Sequence, residues 1–336
     1  MTRSAPDVSF VIAAYNAADT IRRAIDSALA QEGVDVEVIV IDDCSSDDTC
    51  AVVEDVADPR VRLLRLARNC GPGGARNAGL DVARGDWIAI LDADDTVSPR
   101  RLKRMTELAS AAAAEIAVDN IDVANLDGRV ERMFTDAMLA RHGTLTLEAF
   151  IGSNVLFRST YNFGYMKPVF KRQFLNTPRL RFEEGIRIGE DYILLASALA
   201  LGGRCVVDPS AGYCYHVRKG SISRVLEISH VETMMAADRD FVAKHALGPN
   251  AMTMQHQRER SLREARAFLC LVEHLKSRSL IGAARVAMSN PMALRHLRMP
   301  IAARLRRLLA PFAHTATPTL SGKRPPSGEA PHARKG

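Results

Sequence analysis

Trp87-Ile88-Ala89-Ile90-Leu91-Asp92-Ala93-Asp94-Asp95 decides the fold. A short apolar run that stops at a group of carboxylates reads as a buried strand with polar chemistry at its carboxyl end. Upstream the same design recurs. Val8 to Ala13 is an apolar run rich in β-branched residues and leads to Ala14-Tyr15-Asn16. Val36 to Ile41 ends at Asp42-Asp43, and Val61 to Leu66 leads to the Asn69 to Gly74 segment. A further strand is expected at Ile116 to Val123.

Helical stretches lie between these runs. One follows Asp19, its expected cap, with Ile21, Ile25, Ala28 and Leu29 on a common face. Others are expected at Thr49 to Val56, at Ala75 to Ala83 after a Gly71 to Gly74 loop, and at Pro99 to Ala112. Strand and helix alternate about every 25 residues, the rhythm of a mainly parallel, doubly wound α/β sheet with helices on both faces. Ligands of such sheets bind beyond the carboxyl ends of the strands. All four polar clusters sit at those ends.

The second half is less regular. A helix at Gly189 to Leu201 opens with Glu190-Asp191, and short strands are expected at Arg204 to Val207 and Gly212 to His216. The division that follows is an α/β domain over 1–225, with a regular first half at 7–125 and a less regular second half at 126–225. A helical basic extension spans 226–314, and the Pro-, Gly-, Ser- and Lys-rich 315–336 reads as a disordered tail.

Apolar residues make up 47% of the 336 and charged residues 25%, which suits a globular chain with a substantial core. No run is long and apolar enough to span a membrane, and no secretory signal is visible near Met1. The six cysteines form no CxxC pair, so zinc and redox motifs are absent and a cytoplasmic protein with reduced thiols is expected. The net charge of +6 divides unevenly: Lys276 to Gly336 carries +11 and the rest −5. Leu294 to Phe312 interleaves apolar residues with five arginines, and an amphipathic helix on anionic lipid, interrupted at Pro300, is expected there. The acidic clusters of the body would repel nucleic acid.

Asp92, Asp94 and Asp95 repel one another unless a positive group joins them. They can hold Mg²⁺ or Mn²⁺ together with substrate phosphates, or cap the helix after Pro99. Asp42 and Asp43 can accept from a base N–H or a ribose hydroxyl, or form an Asp-Asp-Cys-Ser-Ser turn. Arg68 or Arg76 can approach a phosphate beside the glycines, although the spacing is not that of a Walker loop. Glu190-Asp191 can supply a base for an acceptor hydroxyl, or complement its helix dipole. His216, Arg218 and Lys219 can fold over a diphosphate, and His216 can reach a metal or serve the fold alone.

Phe10-Val-Ile-Ala-Ala-Tyr-Asn16, Val40-Ile-Asp-Asp-Cys-Ser-Ser46, Gly74-Ala-Arg-Asn-Ala-Gly79, Leu91-Asp-Ala-Asp-Asp95 and Gly189-Glu-Asp191, in this order, resemble the family 2 glycosyltransferases of the GT-A fold. The resemblance covers roughly residues 7–225, with Ala13 in place of the usual proline. It implies that Ala14, Tyr15 and Asn16 line a nucleotide pocket and that Asp42 or Asp43 meets uracil. It implies Asp92 at the ribose or the metal shell, Asp94 on the metal, and Asp191 as catalytic base with Glu190 beside it. No QxxRW motif of processive synthases is present, which points to one sugar per encounter.

Asn154-Val-Leu-Phe-Arg-Ser, Phe163-Gly-Tyr-Met-Lys-Pro and Leu294-Arg-His-Leu-Arg-Met-Pro resemble bacterial glycosyltransferases of succinoglycan assembly. That likeness implies β-1,6 transfer of glucose from UDP-glucose to a lipid-linked oligosaccharide, at the inner face of the plasma membrane. The competing readings are a sugar nucleotidyltransferase, which should carry a basic Gly-rich loop after its first strand, and a non-catalytic nucleotide-sugar binding protein. Ala-Ala-Tyr-Asn stands where that loop would be.

Overall fold

The computed structural model describes residues 5–177, 180–218 and 226–297. Lys219, the segment 298–314 of the expected basic extension and the expected tail 315–336 lie outside the described residues.

Among these residues one nine-stranded sheet forms. Its strands are β1 (Val8–Ala14), β2 (Val36–Asp42), β3 (Val61–Arg65), β4 (Trp87–Ile90), β5 (Thr96–Val97), β6 (Ile116–Ala124), β7 (Val130–Arg132), β8 (Val169–Lys171) and β9 (Cys205–His216). The order is β3-β2-β1-β4-β8-β6-β9-β5, with β7 on β6. β3, β2, β1 and β4 make a parallel ladder. β8 is antiparallel to both of its neighbours, while β9 runs parallel to β6. The chain therefore has the expected α/β, mainly parallel sheet of the GT-A type. β5 and β7, too short to leave a pattern in the sequence, run antiparallel to β9 and β6.

The helices are α1 (Ile21–Leu29), α2 (Thr49–Glu54), α3 (Gly71–Val82), α4 (Arg101–Ala111), α5 (Asp136–Ala140), α6 (Leu147–Ser153), α7 (Arg172–Asn176), α8 (Glu190–Ala200), α9 (Ile228–Lys244), α10 (Pro249–Lys276), α11 (Leu280–Ser289) and α12 (Pro291–Leu294). None of them is long and apolar enough to cross a membrane.

β2 is buried at every position and β1 at all but one, as strands covered on both faces must be. α1 lays Ile21, Ala24, Ile25 and Ala28 into the core. Asp19 does not cap it. Thr20 holds the cap position, and its hydroxyl donates to the Ala17 carbonyl.

Two further expectations change. The Gly71 to Gly74 loop is the first turn of α3. Pro72 is tolerated there because first-turn N–H groups lack helical partners in any case. The glycines are there for closeness. A Cβ on Gly73 would stand 2.9 Å from the Glu183 carbonyl, and one on Gly79 would stand 2.6 Å from Ile41 and Val11. α3 thus packs tightly onto β1 and β2. The two strands expected at Arg204 to Val207 and Gly212 to His216 are one, β9, whose register against β6 shifts around Asn120.

That shift lies over a buried ion pair. Arg101 and Asp119 are both fully buried and joined by two bonds of 2.9 Å. The guanidinium sits over the Tyr213 ring and donates to the Lys167 carbonyl at 2.6 Å. Gly212 passes so near that a Cβ would meet Asp119 at 2.5 Å and Arg101 at 2.6 Å.

Farther along the chain, Arg258 of α10 bonds Asp238 of α9, a second buried pair. It also donates to the Asn154 carbonyl and lies 3.7 Å over the Tyr192 ring of α8. α9 and α10 are thereby tied to the helix that opens with Glu190-Asp191.

Asp119→Ala leaves Arg101 buried without its counter-charge. Urea denaturation should show a loss of about 3–5 kcal/mol in unfolding free energy. A loss within measurement error would remove the pair as a structural anchor.

Candidate active site

The carboxyl ends of β1, β2 and β4 bring the acidic clusters to one edge of the sheet. Asp42 ends β2, and Asp92 follows β4 by two residues. Glu190 and Asp191 arrive from the far side on the first turn of α8, after Gly189 in a left-handed conformation (φ 95°). A residue with a side chain would be strained at that turn.

Arg76 joins the two sides. Its Nη1 donates to Glu190 at 2.7 Å and to Asp191 at 3.0 Å, and its Nη2 donates to Asp92 at 2.7 Å. Its guanidinium, one of the two expected near a phosphate, is buried with Nη1 and Nη2 on three carboxylates, while Nε has no hydrogen-bond partner. Lys167 completes the patch, with Nζ 2.6 Å from Asp191 and 2.8 Å from Asp92. Its backbone is held by Arg101.

Lys167 lies within Phe163 to Pro168, and its sequence signal is indirect. Three carboxylates at one site call for positive charge, and Arg76 alone does not balance them. Nothing in the local pattern of residues marks which lysine supplies the rest.

The electrostatics follow from this pairing. Burial alone would raise the Asp92 carboxyl, but Lys167 and Arg76 outweigh it and hold Asp92 well below the ordinary 3.8. Burial works against the Lys167 ammonium, yet Asp191 and Asp92 raise it above the ordinary 10.5. Glu190 is raised by burial and by Asp191, more than Arg76 offsets.

Asp94 is half-buried, with Arg218 at 3.8 Å as its cation. Burial and Asp92 push its carboxyl up, and Arg218 only partly offsets them. Asp95 is fully buried and serves the fold: it accepts from the Tyr213 hydroxyl at 2.8 Å and from the His216 N–H at 2.9 Å. The His216 ring bonds the Thr96 hydroxyl at 3.0 Å, and burial with nearby Arg23 lowers its pKa.

At the β2 end the two aspartates separate in role. Asp43 accepts from the Cys70 N–H at 2.7 Å, and its own carbonyl accepts from Asn69. It fastens the start of α3, and burial raises its carboxyl. Asp42 is buried with one oxygen, Oδ1, that has no hydrogen-bond partner. At the β1 end Ala14 is buried and Tyr15 is 55% exposed at the rim. Asn16 takes a left-handed conformation (φ 49°), and its side-chain oxygen accepts from the Ser46 N–H at 2.8 Å. It holds the loop after Asp43 against β1.

Residues 9–174 match the family described as Glycosyl transferase family 2. Over 98% of this chain and 97% of the relative, 63% of residues are identical to succinoglycan biosynthesis protein ExoO of Rhizobium meliloti. The chain belongs to glycosyltransferase family 2. Solved structures share the fold of this glycosyltransferase at low identity. TarS residues 1–349 from S. aureus, crystallised with UDP-GlcNAc, superposes with a TM-score of 0.59 at 18% identity over 85% of this chain and 92% of that one. Mannosyltransferase PcManGT from Pyrobaculum calidifontis, in complex with GDP-Man and Mn²⁺, gives 0.57 at 19% identity over 91% and 88%.

The family implies a divalent ion. Among the described residues no group of three or more His, Cys, Asp or Glu side chains is gathered to hold one. Asp92 is taken up by Arg76 and Lys167. Asp94 fits: it is a carboxylate pushed up by burial and a neighbouring charge, partly open, and short of cations. One carboxylate together with water and diphosphate oxygens is a usual set for Mg²⁺.

The pairing of the glycosyltransferase's carboxylates sets a pH prediction. Asp92 has a lowered folded pKa, so its contribution is full above 3.8 and fades as pH falls through the folded value. Lys167 has a raised folded pKa, so its contribution is full below 10.5 and fades as pH rises through the folded value. Relative to wild type, Lys167→Met should lose about 3 kcal/mol, constant between about pH 5 and about pH 9 and smaller at both extremes. Denaturant titrations across pH read this directly. A deficit that grows towards acid would contradict the arrangement.

Proposed function

We propose that this glycosyltransferase transfers one sugar per encounter, with inversion, from a UDP-sugar to a hydroxyl of a lipid-linked oligosaccharide in exopolysaccharide assembly. Glucose from UDP-glucose, added in β-1,6 linkage as in a succinoglycan-type polymer, is the specific reading. The observation that carries it is the meeting of Asp92 with Glu190 and Asp191 around Arg76 and Lys167. These carboxylates lie about a hundred residues apart in the chain, and they meet at the strand ends where a sheet of this kind binds nucleotides. The 63% identity to a succinoglycan biosynthesis protein supports the polymer class. The nucleotide sugars bound by TarS and PcManGT support the donor class.

Each residue has a task in this reading. Asp42 offers its unpartnered Oδ1 to the N–H of a base, and Tyr15 gives the rim an aromatic face. Asp191 is the base. Arg76 and Lys167 each occupy one of its oxygens, yet a carboxylate has about four acceptor positions and can still take a proton from an acceptor hydroxyl. The freed oxygen attacks the anomeric carbon opposite the leaving diphosphate, which turns an α-linked donor into a β-linked product. Glu190 holds Arg76, and Arg76 holds Asp191 towards the donor side. Asp94 would hold Mg²⁺ or Mn²⁺, which supplies charge neutralisation to the departing diphosphate. Arg218 adds a cation at the same place.

The sheet edge after β1 carries no basic Gly-rich loop, as pyrophosphate release would require, so a nucleotidyltransferase reading has no support. Localisation at the inner membrane face follows from the lipid-linked acceptor and the basic C-terminal region.

Asp191→Asn should keep UDP-sugar affinity within about two-fold and lose roughly 10²–10⁴-fold in turnover. Product analysis by mass spectrometry, with calorimetry for the donor, checks both halves. Turnover at the wild-type rate would take the base role from Asp191. In Asp94→Ala, UDP should bind about ten-fold more weakly with Mn²⁺ present, and EDTA should make no further difference. Equal affinity of the wild type with and without EDTA would contradict a metal at Asp94.

A further inference from the structure

Away from the acidic patch, a cavity of about 510 Å³ opens between the 155–158 segment, α10 and the residues just after α12. That is the size of a small-molecule site. Arg158, Arg260 and Arg295 line it with Phe157, Glu264 and His296. Glu264 answers Arg295 and His296. Arg158 donates to the neutral side chain of Gln257, and neither it nor Arg260 pairs with a carboxylate among the described residues. Two guanidinium charges are therefore left for an outside anion. Phe157, in a left-handed conformation (φ 65°), stacks its ring 4.0 Å from that of His296 and adds an apolar surface beside the charges.

Exposed apolar residues precede the cavity wall in the chain. Met292 and Leu294 of α12 come just before Arg295, and Leu280, Ile281 and Met288 of α11 are 74–78% exposed. Ile281 and Met288 are seven residues apart and share a helix face. Exposed Arg285 lies between them on that face, and exposed Arg278 precedes the helix. Exposed apolar residues interspersed with arginines suit a surface of anionic lipid.

The site also has a physical link to the base. Arg258, two residues before Arg260 on α10, lies over the ring of Tyr192, which follows Asp191 in the chain. Ser261 on the same turn accepts from the Leu156 N–H at the cavity wall.

We propose that this cavity binds the phosphate that joins a membrane lipid to its saccharide, with the α11–α12 face resting on the bilayer. The site rests on the reading of the acceptor as lipid-linked and adds where its phosphate is held. Guanidinium groups recognise phosphate oxygens through paired donors, and an aromatic face accepts the adjoining organic group.

Flotation of the full chain with phosphatidylcholine vesicles tests this. One set carries polyprenyl diphosphate and another phosphatidylglycerol at matched charge. The wild type should prefer the polyprenyl diphosphate vesicles, and Arg158→Gln/Arg260→Gln should reduce that preference by about ten-fold. The single Arg158→Gln change, at an exposed loop position, should move binding the same way if the double variant folds poorly. Ile281→Ser/Met288→Ser should weaken binding to both charged sets. Equal wild-type binding to the two sets, or a preference that survives the arginine changes, overturns the phosphate site. Unchanged binding by the serine variant overturns the bilayer face. UDP release from UDP-sugar with saccharide acceptor, measured on the same proteins, tests the transferase reading separately.

Discussion

Burying carboxylates where reactants meet is possible only if positive charge is buried with them. Asp92, Glu190 and Asp191 share Arg76, and Asp92 and Asp191 also share Lys167. Each cation spans the two sides of the cleft, so neither half of the site is complete without the other. The surrounding structure holds these cations in place. Arg76 rides on α3, whose glycines let it lie close to β1 and β2. Lys167 is fixed through its carbonyl by Arg101, which Asp119 locks beneath β9.

The same economy governs the strand ends. Asp43 and Asn16 spend their side chains on loops, and Asp95 spends its own on β9. The neighbours Asp42 and Asp94 keep oxygens that the fold does not use up. In each acidic cluster one carboxylate is bound into the fold and its neighbour keeps an oxygen the fold leaves unpaired or only loosely paired.

Much of this was legible in the sequence. β1, β2, β4 and β6 announce themselves as apolar runs because strands covered on both faces need them, and β3, half-exposed at the sheet edge, still shows Val61, Leu63 and Leu64. Glu190 and Asp191 stand out because acidic residues at a helix start are either caps or chemistry. What was hidden depends on contacts between distant segments. A run of two residues such as Thr96–Val97 leaves no period to read. The first turn of α3 looked like a loop because its glycines suggested flexibility, whereas they answer to the walls pressed against them. Lys167 could not be told from other basic residues until the carboxylates it neutralises were close by, and Arg76, marked out by the glycines beside it, gave no sign of which carboxylates it would meet. The apolar face of α11 was obscured for a related reason: its residues have the period of a core helix, and exposure is not written in the period.

β8 has one more implication. Three residues, Val169–Lys171, enter the middle of the sheet between β4 and β6, which are made some fifty to eighty residues earlier. During synthesis the ladder β3-β2-β1-β4 can assemble alone, but the Ile116–Ala117 end of β6 has no neighbour on that side until β8 emerges, β7 covering only Asp122–Ala124. The nascent chain must therefore carry an open sheet edge through that interval, and ordering of the cleft waits on a strand only three residues long.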